Sequence, residues 1–180
     1  MIYFTSDLHF NHNKDFIYKA RGFNSVEEMN EKIIDNFNSV VDYADPVYIL
    51  GDVVLGDIES GIECLKRLNG RKILIIGNHD SDNKILRYKE EGIFSDIQFG
   101  FRIKANKRTH FYLSHYPSLV NNFDDPKKIW NLYGHTHSTE KFEITGHKNY
   151  NVGLDAHNCF PVSIETILND INERKQNVRY

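Results

Sequence analysis

Three short apolar runs, Ile2–Ser6, Pro46–Leu50 and Lys72–Ile76, alternate with segments patterned as helices, and this spacing restricts the fold more than any other feature. Each run has the length and the β-branched or aromatic content of a buried strand. Between the first two, Ser25 followed by Glu28 has the form of a helix-capping box. Behind it Met29, Ile33, Ile34, Phe37, Val40 and Val41 recur mostly at three- and four-residue steps, as on the inner face of a helix. A second helix is expected over residues 58–68, with Leu65 and Leu68 inward and Gly70 past its end, and a third over residues 83–90. The stretch from His9 to Asn24 lacks clean periodicity and reads as irregular, with a turn of helix at most.

The second half changes character. Ser95–Phe99, Phe101–Lys104, Thr109–Leu113, Ile129–Tyr133, Phe142–Ile144 and Tyr150–Leu154 all read as short strands. Turn residues at Asn106–Lys107, Gly134 and Gly146–His147 separate them. The pattern predicts an α/β chain with a mixed sheet flanked by helices, or with two sheets face to face. Without a repeat or a linker, residues 1–180 read as one domain. The end, Asn172–Tyr180, reads as a polar, exposed tail.

Composition excludes several classes. Apolar residues make up 40% and charged residues 26%, a mixture able to fold around a core. A formal net charge of -3 gives no global field to draw in long nucleic acid or a membrane surface. Lys66, Arg67, Arg71 and Lys72 lie close together, but the expected role is a solvated helix end beside a strand. Cys64 and Cys159 lack CxxC spacing and suggest no disulfide framework. The start lacks the features of a signal peptide, and no run is long enough to span a bilayer, so a cytoplasmic protein is expected.

The chemistry lies where the apolar runs end. The first closes on Asp7-Leu8-His9, the second on Gly51-Asp52 and the third on Gly77-Asn78-His79-Asp80. Later runs close on Ser114-His115 and Gly134-His135-Thr136-His137. Ligands of α/β sheets bind beyond the carboxyl ends of the strands, and each of these residue types can ligate a metal. Extended backbone would aim Asp7 and His9 to one side, and likewise His135 and His137. The bland alternative is a set of incidental polar turns.

The order D-x-H, G-D, G-N-H-D, a single H and G-H-x-H resembles the calcineurin-like metallophosphoesterases, with block spacing similar to the smaller bacterial and phage members. The resemblance implies two mixed β-sheets face to face, flanked by helices, with a dinuclear metal centre at the strand ends. It implies that Asp7, His9 and His137 hold one metal and Asn78, His115 and His135 the other, with Asp52 bridging. Mixed oxygen and nitrogen ligands suit manganese first, then iron, zinc, nickel or cobalt, over magnesium or calcium. The implied reaction is hydrolysis of a phosphodiester or phosphomonoester by a metal-bridging hydroxide, with a small molecule or nucleotide as the expected substrate. A nuclease acting on single-stranded nucleic acid and a non-catalytic binding module on the same fold are the alternatives.

In that family the histidine matching His79 contacts the phosphate or protonates the leaving group, beside Asn78; a capping histidine for the next helix is the competing reading. Asp80 reads as favouring that helix start. His12 is a candidate further phosphate contact, or a surface histidine. The run Gly51-Asp52-Val53-Val54-Leu55-Gly56 has neither the extra Asp and Arg of the protein-phosphatase branch nor the second histidine of the repair nucleases. His110 and His147 read as structural, as do His157 and Asn158. Phe10, Phe16, Tyr18, Phe23, Tyr116, Phe123 and Trp130 could wall a nucleotide pocket, although core packing accounts for most of them.

Overall fold

The three apolar runs form strands as expected, and a second sheet packs on the one they build. The computed structural model describes residues 1–119, 129–144 and 147–177. In the first sheet β1 (Tyr3–Thr5), β2 (Pro46–Ile49), β3 (Arg71–Ile75) and β4 (Asp96–Gln98) run parallel in the order β4-β3-β2-β1, and β9 (Val162–Ser163) joins β1 antiparallel at the edge. In the second, β5 (Phe101–Lys104) pairs antiparallel with β6 (His110–Leu113), and β7 (Ile129–Tyr133) and β8 (Asn149–Asn151) continue it in parallel. Both sheets are therefore mixed.

The two sheets share a core. Phe4, Leu50 and Ile75 from the first pack with Phe111, Leu113, Trp130, Leu132 and Tyr150 from the second. Phe4 meets Phe111 edge-on at 6.0 Å between ring centres. Helices α2 (Val26–Val40) and α3 (Ile58–Lys66) cover the other face of the first sheet, where Met29, Ile33, Phe37, Ile62 and Leu65 join Val47, Ile49 and Leu74 in a second cluster. Of the two architectures the sequence allows, the chain adopts the sandwich. At the start of α2 the Ser25 hydroxyl accepts from the Glu28 amide at 3.1 Å, while the Glu28 carboxylate accepts from the Asn24 amide at 2.8 Å. The capping box thus closes one residue earlier than its usual form.

Three expectations are corrected. Residues 142–144 are not a strand: Phe142 packs edge-on to Tyr150, 5.1 Å away, beneath the Arg174 guanidinium at 4.4 Å. The strand expected over residues 150–154 is shorter and shifted, and Leu154–His157 turns as a 3₁₀ helix. The polar tail is helical through Asn177, because α5 (Ile164–Asn177) docks Ile167 and Ile171 into the inter-sheet core. Ser163 caps this helix, its hydroxyl accepting from the Thr166 amide at 3.1 Å. Val178–Tyr180 and Gly146 lie outside the described residues.

Three of the four basic residues in the cluster are paired. Lys66 bridges Glu63 at 2.9 Å and Glu91 at 3.0 Å, Arg67 meets Glu31 at 2.6 Å, and Lys72 donates to the Leu68 carbonyl at 2.8 Å. Cys64 and Cys159 are buried free thiols. No described helix is long and apolar enough to cross a membrane.

Docking of α5 has a measurable consequence. Ile171→Ala should destabilise the protein by about 2–5 kcal/mol in urea denaturation, as expected for a buried aliphatic side chain. A change below about 0.5 kcal/mol, the level of an exposed surface site, would contradict that packing.

Candidate metal centre

The exits of β1 and β2 run side by side and are laced together by backbone bonds. The Asp7 amide donates to Gly51 at 3.1 Å, His9 to Asp52 at 3.1 Å and Phe10 to Val53 at 2.9 Å. The backbone here is left-handed rather than extended, with φ of 59° at Asp7, 51° at His9 and 55° at Asp52. His135 and His137 repeat this, at 72° and 52°. The period-two expectation for both pairs is therefore wrong in its backbone; Asp7 and His9 still share one ligand group, whereas His135 and His137 face two different ones. Left-handed φ costs an L-residue roughly 1–2 kcal/mol, and such strain concentrates at functional sites. Gly51 and Gly77 let the exits of β2 and β3 approach: a Cβ on Gly51, itself at φ 87°, would lie 2.6 Å from both Gly77 Cα and His115 Nδ1.

Two groups of ligand atoms result, Asp7 with His9 and His137, and Asp52 with His115 and His135. In the first, His9 Nε2 lies 3.7 Å and His137 Nε2 4.0 Å from Asp7 Oδ1. Asp7 Oδ1 and His9 Nε2 are buried without any hydrogen-bond partner, an arrangement that costs energy unless a cation satisfies it. In the second, His115 Nδ1 lies 2.7 Å from the Leu50 carbonyl, which can only accept, so Nδ1 carries a proton. In the neutral ring Nε2 then turns a lone pair towards Asn78 Oδ1 at 2.8 Å, His135 Nδ1 at 3.2 Å and Asp52 Oδ2 at 3.5 Å. Of these, Asn78 Oδ1 and Asp52 Oδ2 offer that lone pair no proton, and a cation among them would satisfy all three. Asp52 Oδ2 is also 4.0 Å from His9 Nε2, so one oxygen faces both groups.

This geometry agrees with what the chain is similar to. Residues 1–178 match the family described as Calcineurin-like phosphoesterase. The chain belongs to that family. It is 35% identical to the uncharacterized protein MJ1445 of Methanocaldococcus jannaschii over 97% of this chain and 93% of that one. It is 31% identical to the Gene 66 protein of Mycobacterium phage L5, over 86% of each chain. Among solved structures, a protein of unknown function from Aquifex aeolicus, AQ665, superposes with a TM-score of 0.70 at 26% identity, covering 94% of this chain and 98% of that one. The family is one of metal-dependent phosphoesterases, and the chain carries candidate groups for such a metal.

A second layer of this phosphoesterase holds the ligand candidates in place, and local sequence did not reveal it. Asp80 does not cap the helix that follows it, α4 (Asp82–Glu90), whose N-cap residue is Ser81. Its buried carboxylate reaches back instead, accepting from the amides of Gly77 at 2.9 Å, Asp52 at 2.9 Å and Val53 at 3.2 Å. Burial raises the Asp80 pKa even against those three amides. Asp155 accepts from Arg21 Nε at 2.9 Å and Nη2 at 3.0 Å, and lies 2.9 Å from His137 Nδ1. That hydrogen bond raises the His137 pKa and leaves Nε2 facing Asp7. Arg21 Nη2 also donates to the Asp7 carbonyl at 2.7 Å, tying the first loop to the same carboxylate.

The remaining candidates separate. His79 is about half exposed, its amide donating to Asp52 Oδ1 at 2.8 Å and its Nε2 lying 4.0 Å from Asp52 Oδ2, so it is not the helix cap. His12 stacks beside His9 at 5.4 Å and lines the same cleft; burial first, then His9 and His79, push its pKa down to about 4. His157 turns away, with Nε2 2.9 Å from the Asn151 carbonyl and a pKa lowered by burial to about 4. His110 and His147 belong to neither ligand group. Phe10, Tyr18 and Trp130 are core residues and Phe23 packs against the core, whereas Phe16 is 70% and Tyr116 51% exposed. Phe123 lies outside the described residues.

The Arg21–Asp155 pair carries a stability prediction. Asp155→Ala leaves a buried guanidinium without its carboxylate and should cost about 3–5 kcal/mol in metal-free protein, measured by urea denaturation in chelator. A loss under about 1 kcal/mol, the range of an exposed pair, would show that the pair does not organise the loop.

Proposed function

We propose that the chain hydrolyses phosphoesters with two divalent transition-metal ions, manganese foremost and iron, zinc, nickel or cobalt as alternatives. Asp7, His9 and His137 would hold one ion, Asn78, His115 and His135 the other, and Asp52 both. The observation that carries this reading is the single oxygen, Asp52 Oδ2, placed 4.0 Å from His9 Nε2 and 3.5 Å from His115 Nε2. A shared carboxylate is how two cations are held about 3.5–4 Å apart. Cations so held supply Lewis acidity towards phosphoryl oxygens and lower the pKa of bound water.

The chain's own residues supply the rest. Asp80 and the laced exits of β1 and β2 fix Asp52 before substrate arrives, so little reorganisation is needed. His79 stands half exposed on the cleft, 4.0 Å from Asp52, and would meet an ester oxygen or a phosphate bound beside Asn78. As a hydroxide oxygen bonds to phosphorus, the P–O bond to the leaving group breaks; an alkoxide leaving group takes up a proton as it departs, and an imidazolium at His79 could give it. His12, on the same cleft, is the further candidate for the substrate's phosphate side. The substrate is proposed to be a small phosphodiester or a nucleotide, since a formal net charge of -3 gives no global field to draw in long nucleic acid.

Hydrolysis of bis-p-nitrophenyl phosphate and p-nitrophenyl phosphate with added Mn²⁺ and with chelator tests this reading. Turnover that requires metal is expected, and the preferred ester identifies a diesterase or a monoesterase. Metal-loaded protein that cleaves neither these esters nor single-stranded DNA or RNA would contradict it. Cleavage of single strands alone, with steep salt dependence, would move the assignment to a nuclease.

Two variants divide the roles. Asp52→Asn should lower the bound metal below two ions per chain. His79→Ala should keep the metal and lower turnover by about 10²-fold or more. If His79 protonates the leaving oxygen, that loss will be larger for an alkyl ester than for p-nitrophenyl, whose phenolate leaves without help. A uniform loss would make it a phosphate contact instead, and full activity would remove it from the reaction.

A further inference from the structure

We propose that Phe16, braced edge-on by His12, is a stacking face for a flat aromatic group carried by the phosphoester, so that the cleft selects aryl or nucleobase-bearing substrates over aliphatic ones. The inference rests on the phosphoesterase reading and deepens it. The cleft beside the ligand groups encloses about 490 Å³, and His9, His79 and His137 are part of its lining. The rest of its lining is mostly apolar, with Phe16, Ile17, Ala20 and Leu55 in it. A site that took only a phosphate head would have no use for such walls, because phosphate oxygens prefer water or donors to hydrocarbon.

The rings stand in a row. His12 stacks on His9 with centres 5.4 Å apart and planes 26° from parallel, and Phe16 meets His12 edge-on at 5.7 Å. Phe16 thus lies two ring contacts out from a ligand candidate. Its helix, α1 (Asp15–Tyr18), is pinned from below by buried Ile17 and Tyr18, while Phe16 itself is 70% exposed. A lone exposed phenylalanine needs no explanation. One held on an anchored turn, in the lining of a cleft that His9 and His137 also line, offers an open aromatic face to whatever the phosphate carries. Stacking on such a face is tolerant of which ring arrives, which is why the shared feature is flatness and not a hydrogen-bonding pattern. His12 then has a role that does not need contact with phosphate: standing edge-on to Phe16, it braces that ring from the His9 side.

The test compares non-hydrolysable phosphonates on Mn²⁺-loaded protein by calorimetry. Methylphosphonate and phenylphosphonate share a head group and differ in the ring, and a nucleoside 5′-phosphonate sets its base further from phosphorus. An aromatic probe should bind about tenfold tighter than methylphosphonate, and the probe that shows the gain tells whether an aryl ring or a nucleobase is preferred. Phe16→Ala should bring the affinity ratio close to one, and Phe16→Trp should retain it. Equal affinities for all three probes, or a gain that survives Phe16→Ala, would overturn the stacking face while leaving the phosphoesterase reading intact. Failure of every probe to bind would overturn the phosphate site, and the stacking face with it.

Discussion

Asp52 can face two groups of ligand atoms because its backbone is clamped in a conformation it would not choose. The residue sits at φ 55°, straight after Gly51 at 87°, and its amide is held by the buried carboxylate of Asp80. The same carboxylate holds Gly77 and Val53, so the exits of β2 and β3 are fixed to each other before any ligand binds. The β1 exit is laced to β2 in turn, through Asp7, His9 and Phe10. Removing Asp80 would release the exits of β2 and β3 from each other. The left-handed strain is offset by the sandwich beneath it, where two clusters of buried side chains grip both faces of the first sheet.

The centre was legible in the sequence because its parts are local. Each candidate ligand closes an apolar run or follows a glycine, and the runs themselves are recognisable from their β-branched content. The backbone route was not legible. Period-two reasoning places Asp7 and His9 on one side of an extended strand, whereas the chain uses alternate left-handed residues with Leu8 turned into the core. Asp and His are among the residues that tolerate this conformation best, and that was the available hint. Asp80 was misread for a related reason. Its neighbourhood resembles a helix start, yet its partners Asp52 and Val53 lie 28 and 27 residues away.

Long-range partners explain the other gaps. Arg21 and Asp155 are 134 residues apart, so no window of sequence could pair them. Phe142 has the composition of a strand residue but finds its neighbours, Tyr150 and Arg174, by packing rather than by pairing. Helix α5 is different, since its signal was present: Ile164, Ile167, Leu168 and Ile171 recur at helical spacing behind Ser163. The polar residues that follow obscured it. Among the aromatic residues, composition alone could not distinguish buried Phe10 from exposed Phe16, and that distinction decides what the cleft presents to a substrate.

The central claim is that one carboxylate oxygen serves two cations, and electron paramagnetic resonance of the Mn²⁺-loaded protein tests it most directly. Two manganese ions bridged by Asp52 should give two bound ions per chain and an exchange-coupled spectrum. One ion per chain, or two whose spectra remain those of isolated Mn²⁺, would contradict the shared site.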